Sequence, residues 1–260
     1  MECKDVEWAA FLFNAMGEDW AYIDQLRQLK DNIKKDKQVG EVILKFLNKW
    51  RSRAPEEVGG KIEIWYNENH RKLNELSFCL IDADFDDKTT ADGIKDIYRS
   101  LLGENGNGIG DTIASKTLHI LKPDLFVPWD GPIKAWYDSQ LNQEDDKKTG
   151  QEDKYLAFLK KMQKEAKHLV GQKENFLSEL NSNVQRLYEG NLEQVNNVKK
   201  TNDKSKSTKT DKKSDDEKID YNVMVNFMKT TGKTLAKYLD EYNWITITNT
   251  VKIRPEWHPD

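Results

Sequence analysis

Val39, Val42, Ile43, Phe46, Leu47 and Trp50 recur at i, i+3, i+4, i+7, i+8 and i+11, the spacing of one apolar helix face. Tyr155, Leu159, Met162, Ala166 and Leu169 predict a second amphipathic helix. Phe176, Leu177, Leu180, Val184, Leu187 and Tyr188 predict a third. One more helix is expected over residues 6–30, and Met224, Phe227, Met228, Leu235, Tyr238, Leu239 and Tyr242 predict another over 221–242. Two short stretches alternate instead: Ile62 with Ile64, and Trp244-Ile-Thr-Ile-Thr248, each read as a brief strand. There is no internal repeat. The fold class is mostly α, with little or no sheet.

The middle of the chain carries a denser pattern. A helix bearing Ile94, Ile97, Tyr98, Leu101 and Leu102 is expected after a cap at Thr90 or Asp92. Residues 103–110 then hold four glycines: Gly103, Gly106, Gly108 and Gly110. A second helix starts near Asp111, places Ile113, Ala114, Thr117, Leu118 and Leu121 on its apolar positions, and stops at Lys122-Pro123. After a non-periodic run to Asp130, a third helix passes through Ile133, Trp136 and Tyr137.

Residues 198–218 contain almost no apolar side chain, so they cannot bury enough surface to offset ordering and read as a flexible Lys/Ser-rich linker. The organisation expected is a helical body over 1–197, the linker, and a C-terminal helix plus short strand over 219–260. That last piece is too short for its own core and must pack back on the body. The 260 residues are 37% hydrophobic and 33% charged. A mean hydropathy of −0.85 fits a wet helical surface. No apolar run approaches the roughly 18 residues of a membrane span, and the first residues lack a signal pattern. A cytoplasmic monomer is expected. Two cysteines, Cys3 and Cys79, cannot make a four-thiolate zinc or iron–sulfur site. Net charge is −4; without residues 199–218 it becomes −7, from 33 basic and 40 acidic residues. Nucleic-acid binding by the folded part therefore needs a local patch.

Two features carry candidate chemistry. A helix, a Gly-x-Gly turn and a second helix present backbone N–H groups and a helix N-terminus to an anion. The same residues also suit an ordinary helix–helix turn, and no dinucleotide-binding Gly-x-Gly-x-x-Gly follows a strand here. Asp130 ends the apolar run Leu125, Phe126, Val127, Pro128, Trp129 and begins a helix. It reads either as an N-cap or as a carboxylate held beside a helix N-terminus and aimed at a developing positive charge. Asp82–Asp87 lacks the glycine and glutamate of a calcium loop, and the four histidines are scattered, so no metal site is expected.

Together, Gly108-Ile-Gly110, Ala114 on the next helix and Val127-Pro-Trp-Asp130 twenty residues after Gly110 resemble the helix-hairpin-helix–GPD superfamily of DNA glycosylases. The resemblance covers the hairpin (about 90–122) and the following segment (124–141), in a divergent bacterial form. It implies the helical glycosylase fold and double-stranded DNA as partner. It also implies a monofunctional enzyme that hydrolyses the N-glycosidic bond of a flipped base and leaves an abasic site. On that reading Asp130 is catalytic, and Asn107, Gly108, Ile109, Gly110, Thr112 and Lys116 meet DNA. Lys116, His119, Trp129 and Trp136, with Phe126, are candidates for the base pocket or its support. No cofactor is implied beyond a monovalent cation at the hairpin, and no metal. Strand-cutting members carry a lysine where this chain has Thr112, and the usual Leu-Pro before the hairpin glycine is Gly106-Asn107. Antiviral attack on phage DNA with glucosylated hydroxymethylcytosine is the expected role. Housekeeping repair, or a non-catalytic DNA-binding module, stands as the alternative.

Overall fold

A computed structural model describes residues 1–17, 19–34, 38–102, 109–139, 150–202 and 219–248. Eleven α-helices run along them: α1 (Cys3–Ala15), α2 (Asp19–Lys34), α3 (Val39–Lys49), α4 (Glu57–Glu75), α5 (Lys88–Leu102), α6 (Asp111–Leu121), α7 (Gly131–Asp138), α8 (Gln151–Gln172), α9 (Phe176–Asn202), α10 (Tyr221–Thr230) and α11 (Leu235–Asn243). A π-helical turn, Trp244–Thr248, follows α11. The fold is mostly α, with no strand among the described residues.

The long amphipathic stripes form helices as expected, while both alternating stretches are corrected. In α4, Val58, Ile62, Trp65, Asn69 and Leu73 are buried at helical spacing, and Ile64 lies 62% exposed on the opposite face. Trp244–Thr248 extends α11 as a widened turn and is no strand. Thr246 is satisfied locally, its Oγ1 donating to Tyr242 O at 2.7 Å. Two expected single helices are each broken at a glycine in the left-handed region. Gly17 (φ +74°) separates α1 from α2, and Gly232 (φ +69°) separates α10 from α11. The cap of α5 is Asp87, whose carboxylate accepts from Thr90 N at 2.8 Å, and not Thr90 or Asp92. Helix α9 continues to Asn202, so the expected linker begins inside a helix; its remainder, 203–218, lies outside the described residues, as do 249–260.

One large core joins the helices, with α6 at its centre. Helix α6 is buried nearly all round: Ala114, Ser115, Lys116, Thr117, Leu118, His119 and Ile120 are all enclosed. Beside it α3 and α4 cross so closely that a Cβ on Gly40 would stand 2.1 Å from Gly59 O. Helix α10 packs on α9, and α11 on α1 and α8. Phe13, Ala9, Leu12 and Ile245 form a small apolar cluster where α1 meets the π-turn.

Candidate functional site

The segment leading to Asp130 is pinned to α6 by polar groups one helical turn apart. Ser115 Oγ accepts from Trp129 N at 2.9 Å, and His119 Nδ1 donates to Phe126 O at 2.6 Å. From α8, Tyr155 OH donates to Val127 O at 2.9 Å. These bonds satisfy a buried, non-helical backbone that has no ladder of its own. They also fix where Asp130 emerges. Asp130 Oδ1 then accepts from Ile133 N at 3.1 Å, the N-cap bond of α7, with Pro132 in the first turn. Thr248 of the π-turn sets its hydroxyl 3.4 Å from the same oxygen.

Asp130 borders a cleft of about 500 Å³. Thr112 and Lys116 of α6, Ser52 of the α3–α4 loop and Asp240 of α11 line its polar part, while Phe13, Trp50 and Trp244 supply aromatic surface. The Lys116 ammonium donates to Trp50 O at 3.0 Å and Ser52 Oγ at 3.2 Å, and stands 5.6 Å from the Trp50 ring centroid. Burial pulls the Lys116 amine below its ordinary value, opposed by the charges of Asp130 and Asp240. Burial likewise pushes the Asp130 carboxyl up, opposed by the Ile133 N–H and Lys116. No salt-bridge partner reaches Asp130 among the described residues.

Behind the cleft lies a buried ionic cluster. Lys233 Nζ contacts Asp19 at 2.5 Å and Glu241 at 2.9 Å; Lys237 Nζ contacts Asp240 at 3.0 Å and Glu241 at 3.3 Å. Tyr188 OH donates to Asp19 at 2.5 Å. The Lys237 ammonium also sits 4.1, 4.7 and 5.0 Å from the rings of Phe13, Trp50 and Tyr22. Burial raises the Glu241 carboxyl to about 7, with the Asp19 charge adding to it and the two lysines opposing. For Asp19, burial pushes the other way but Lys233 and Lys237 outweigh it, holding its carboxyl below the ordinary value.

Of the residues expected at the site, Asp130, Thr112 and Lys116 meet at this cleft. Gly110 precedes α6 with φ −68° and open space around it, so neither a left-handed backbone nor crowding calls for glycine in the free protein. Ile109 is buried in the core, and Asn107 and Gly108 lie outside the described residues. His119 is sealed beneath Trp50 and Tyr22, and burial pulls its imidazole down to about 3, so it stays neutral. Trp129 and Phe126 turn into the core, Trp129 stacking on Phe158. Trp136, 42% exposed, lies on the outer face of α7 beneath Lys161. None of these four lines the cleft.

Other lining residues escaped the sequence reading. Trp50 fell on the stripe of α3 as core, and Phe13, Ser52, Asp240, Trp244 and Thr248 carried no motif. In the α3–α4 loop, Arg51, which lines the cleft, and Arg53 both adopt left-handed backbone (φ 57° and 49°). Such conformations cost about 1–2 kcal/mol each and gather at functional sites. Among known proteins, no family model, curated protein or solved structure matches the chain.

Proposed function

We propose that the chain is a monofunctional DNA glycosylase that excises a bulky modified pyrimidine, such as glucosylated hydroxymethylcytosine, from double-stranded DNA in antiviral defence. The observation that carries the reading is Asp130: a partly buried carboxylate without an ion-pair partner, fixed at a helix N-terminus on the edge of an aromatic cleft. A flipped base enters the cleft at a cost of a few kcal/mol for unstacking. As the C1′–N bond lengthens, the sugar gains oxocarbenium character and Asp130 faces it with negative charge. Water attacks C1′, its proton passes to Asp130, and the electron pair of the broken bond leaves with the base. Lys116 stands ready to donate to that departing base. A cleft of about 500 Å³ has room for a base with a sugar-sized substituent.

Asp130→Asn tests this directly, because asparagine caps a helix about as well as aspartate. The variant is expected to fold and bind DNA normally yet lose at least about 1,000-fold in base release, measured on modified phage DNA. Wild-type release by the variant overturns the assignment. A variant indistinguishable from a wild-type protein that itself releases no base favours the binding-module reading, in which Asp130 only caps α7.

A further inference from the structure

Asp240 is 5% exposed and lines the cleft, yet only one of its carboxylate oxygens is occupied. Oδ2 accepts from Lys237 Nζ at 3.0 Å; Oδ1 accepts no hydrogen bond among the described residues and is not sealed within the core. A carboxylate oxygen that opens on the cleft without a protein donor is free to accept from a ligand there. The carboxylate is also held rigidly. Its lysine partner is clamped by Glu241 and by the Phe13, Tyr22 and Trp50 rings, and the same Phe13 and Trp50 line the cleft. A fixed acceptor beside aromatic surface is suited to reading one edge of a stacked, planar ligand.

We propose that Asp240 Oδ1 is a specificity-determining acceptor that selects bases carrying an exocyclic amino group, of the cytosine or adenine type, over their keto counterparts. This rests on the cleft being the base site inferred above. An amino group gives Oδ1 its missing donor, as carboxylates do for cytosine N4. A keto oxygen in the same place sets acceptor against acceptor in an enclosed site, and binding weakens by roughly 10- to 100-fold. Burial favours the protonated acid, as does Asp19 of α2; Lys237 on its own helix and Lys116 of α6 favour the ionised form. The comparison is therefore made at pH 8.

The test titrates wild-type protein with two matched nucleoside pairs, deoxycytidine against deoxyuridine and deoxyadenosine against deoxyinosine, reading tryptophan fluorescence from Trp50 and Trp244. The amino member of each pair is expected to bind at least about 10-fold tighter. Asp240→Asn, whose amide offers a donor as well as an acceptor, is expected to erase that preference. If that variant fails to fold, the wild-type pairs alone decide. Equal binding within a pair, tighter binding of the keto member, or no quenching by any nucleoside up to about 10 mM overturns the proposal. An amino preference without base release from DNA removes the glycosylase reading and leaves Asp240 as the reader. Base release without an amino preference does the opposite.

Discussion

On one side of the cleft, Thr112, Lys116 and Asp130 come from a single stretch of chain, and neutral hydrogen bonds from Ser115, His119 and Tyr155 hold them. On the other, Asp240, Trp244 and Thr248 belong to α11 and its π-turn, which are anchored through Lys233 and Lys237 to buried carboxylates. Neutral bonds lose little when one is cut. Buried charges lose much, because each deletion strands its partner. The two walls should therefore answer differently to mutation and to pH.

The largest difference is expected from single deletions of a supporting group. Lys233→Met leaves Asp19 and Glu241 facing each other without their shared cation, and should cost about 3–5 kcal/mol in unfolding free energy. Ser115→Ala removes one neutral bond to Trp129 N and should cost about 1 kcal/mol. Urea titration of both variants measures this directly, and equal losses would erase the contrast.

Acidity should separate the walls next. His119 refuses a proton in the folded state down to about 3, whereas the unfolded side chain takes one near 6.5. Its contribution is present above 6.5 and is lost as pH falls from there, up to about 2 kcal/mol by pH 5. Glu241 behaves in the reverse sense. Its folded carboxyl holds a proton up to about 7 against an ordinary 4.5, so its contribution is lost as pH rises through that window. Urea midpoints at pH 5 and 7 should shift toward greater relative stability at pH 5 in His119→Asn and at pH 7 in Glu241→Gln. Parallel shifts in both variants would show that the two sites do not titrate independently.

The smallest effect lies in the α3–α4 loop, outside both walls. Arg53→Gly relieves a left-handed arginine and should raise stability by about 0.5–1 kcal/mol. If the loop grips phosphate, the same change lowers the slope of log K against log salt by about one. A gain in stability with an unchanged salt slope would assign the strain to folding alone.

The wall that carries Asp130 was readable because its signals are local. The Lys122-Pro123 stop and the Asp130 cap each act within a few residues, and amphipathic spacing sufficed for α3, α8 and α9. The opposite wall was not. Lys233, Lys237, Asp240 and Glu241 have the composition of a solvated helix, yet they are buried as mutual ion pairs, completed by Asp19, 214 residues from Lys233. The alternation of Trp244–Thr248 misled for a related reason: two-residue periodicity over five residues is also met by a widened helical turn between α1 and α7. His119, Trp129 and Trp136 show a further limit, since nearness to Asp130 in sequence says nothing about where a side chain points.

The bond from Thr248 to Asp130 spans 118 residues of chain. At ribosomal speeds of about 5–20 residues per second, Asp130 is made roughly 6–24 s before the wall that faces it. Through that interval the cleft of a nascent chain stands open along one side. Whatever the carboxylate does to a ligand, it acquires its full setting only once α11 and its π-turn are made, so a chain stalled before α11 carries Asp130 without Asp240, Trp244 or Thr248.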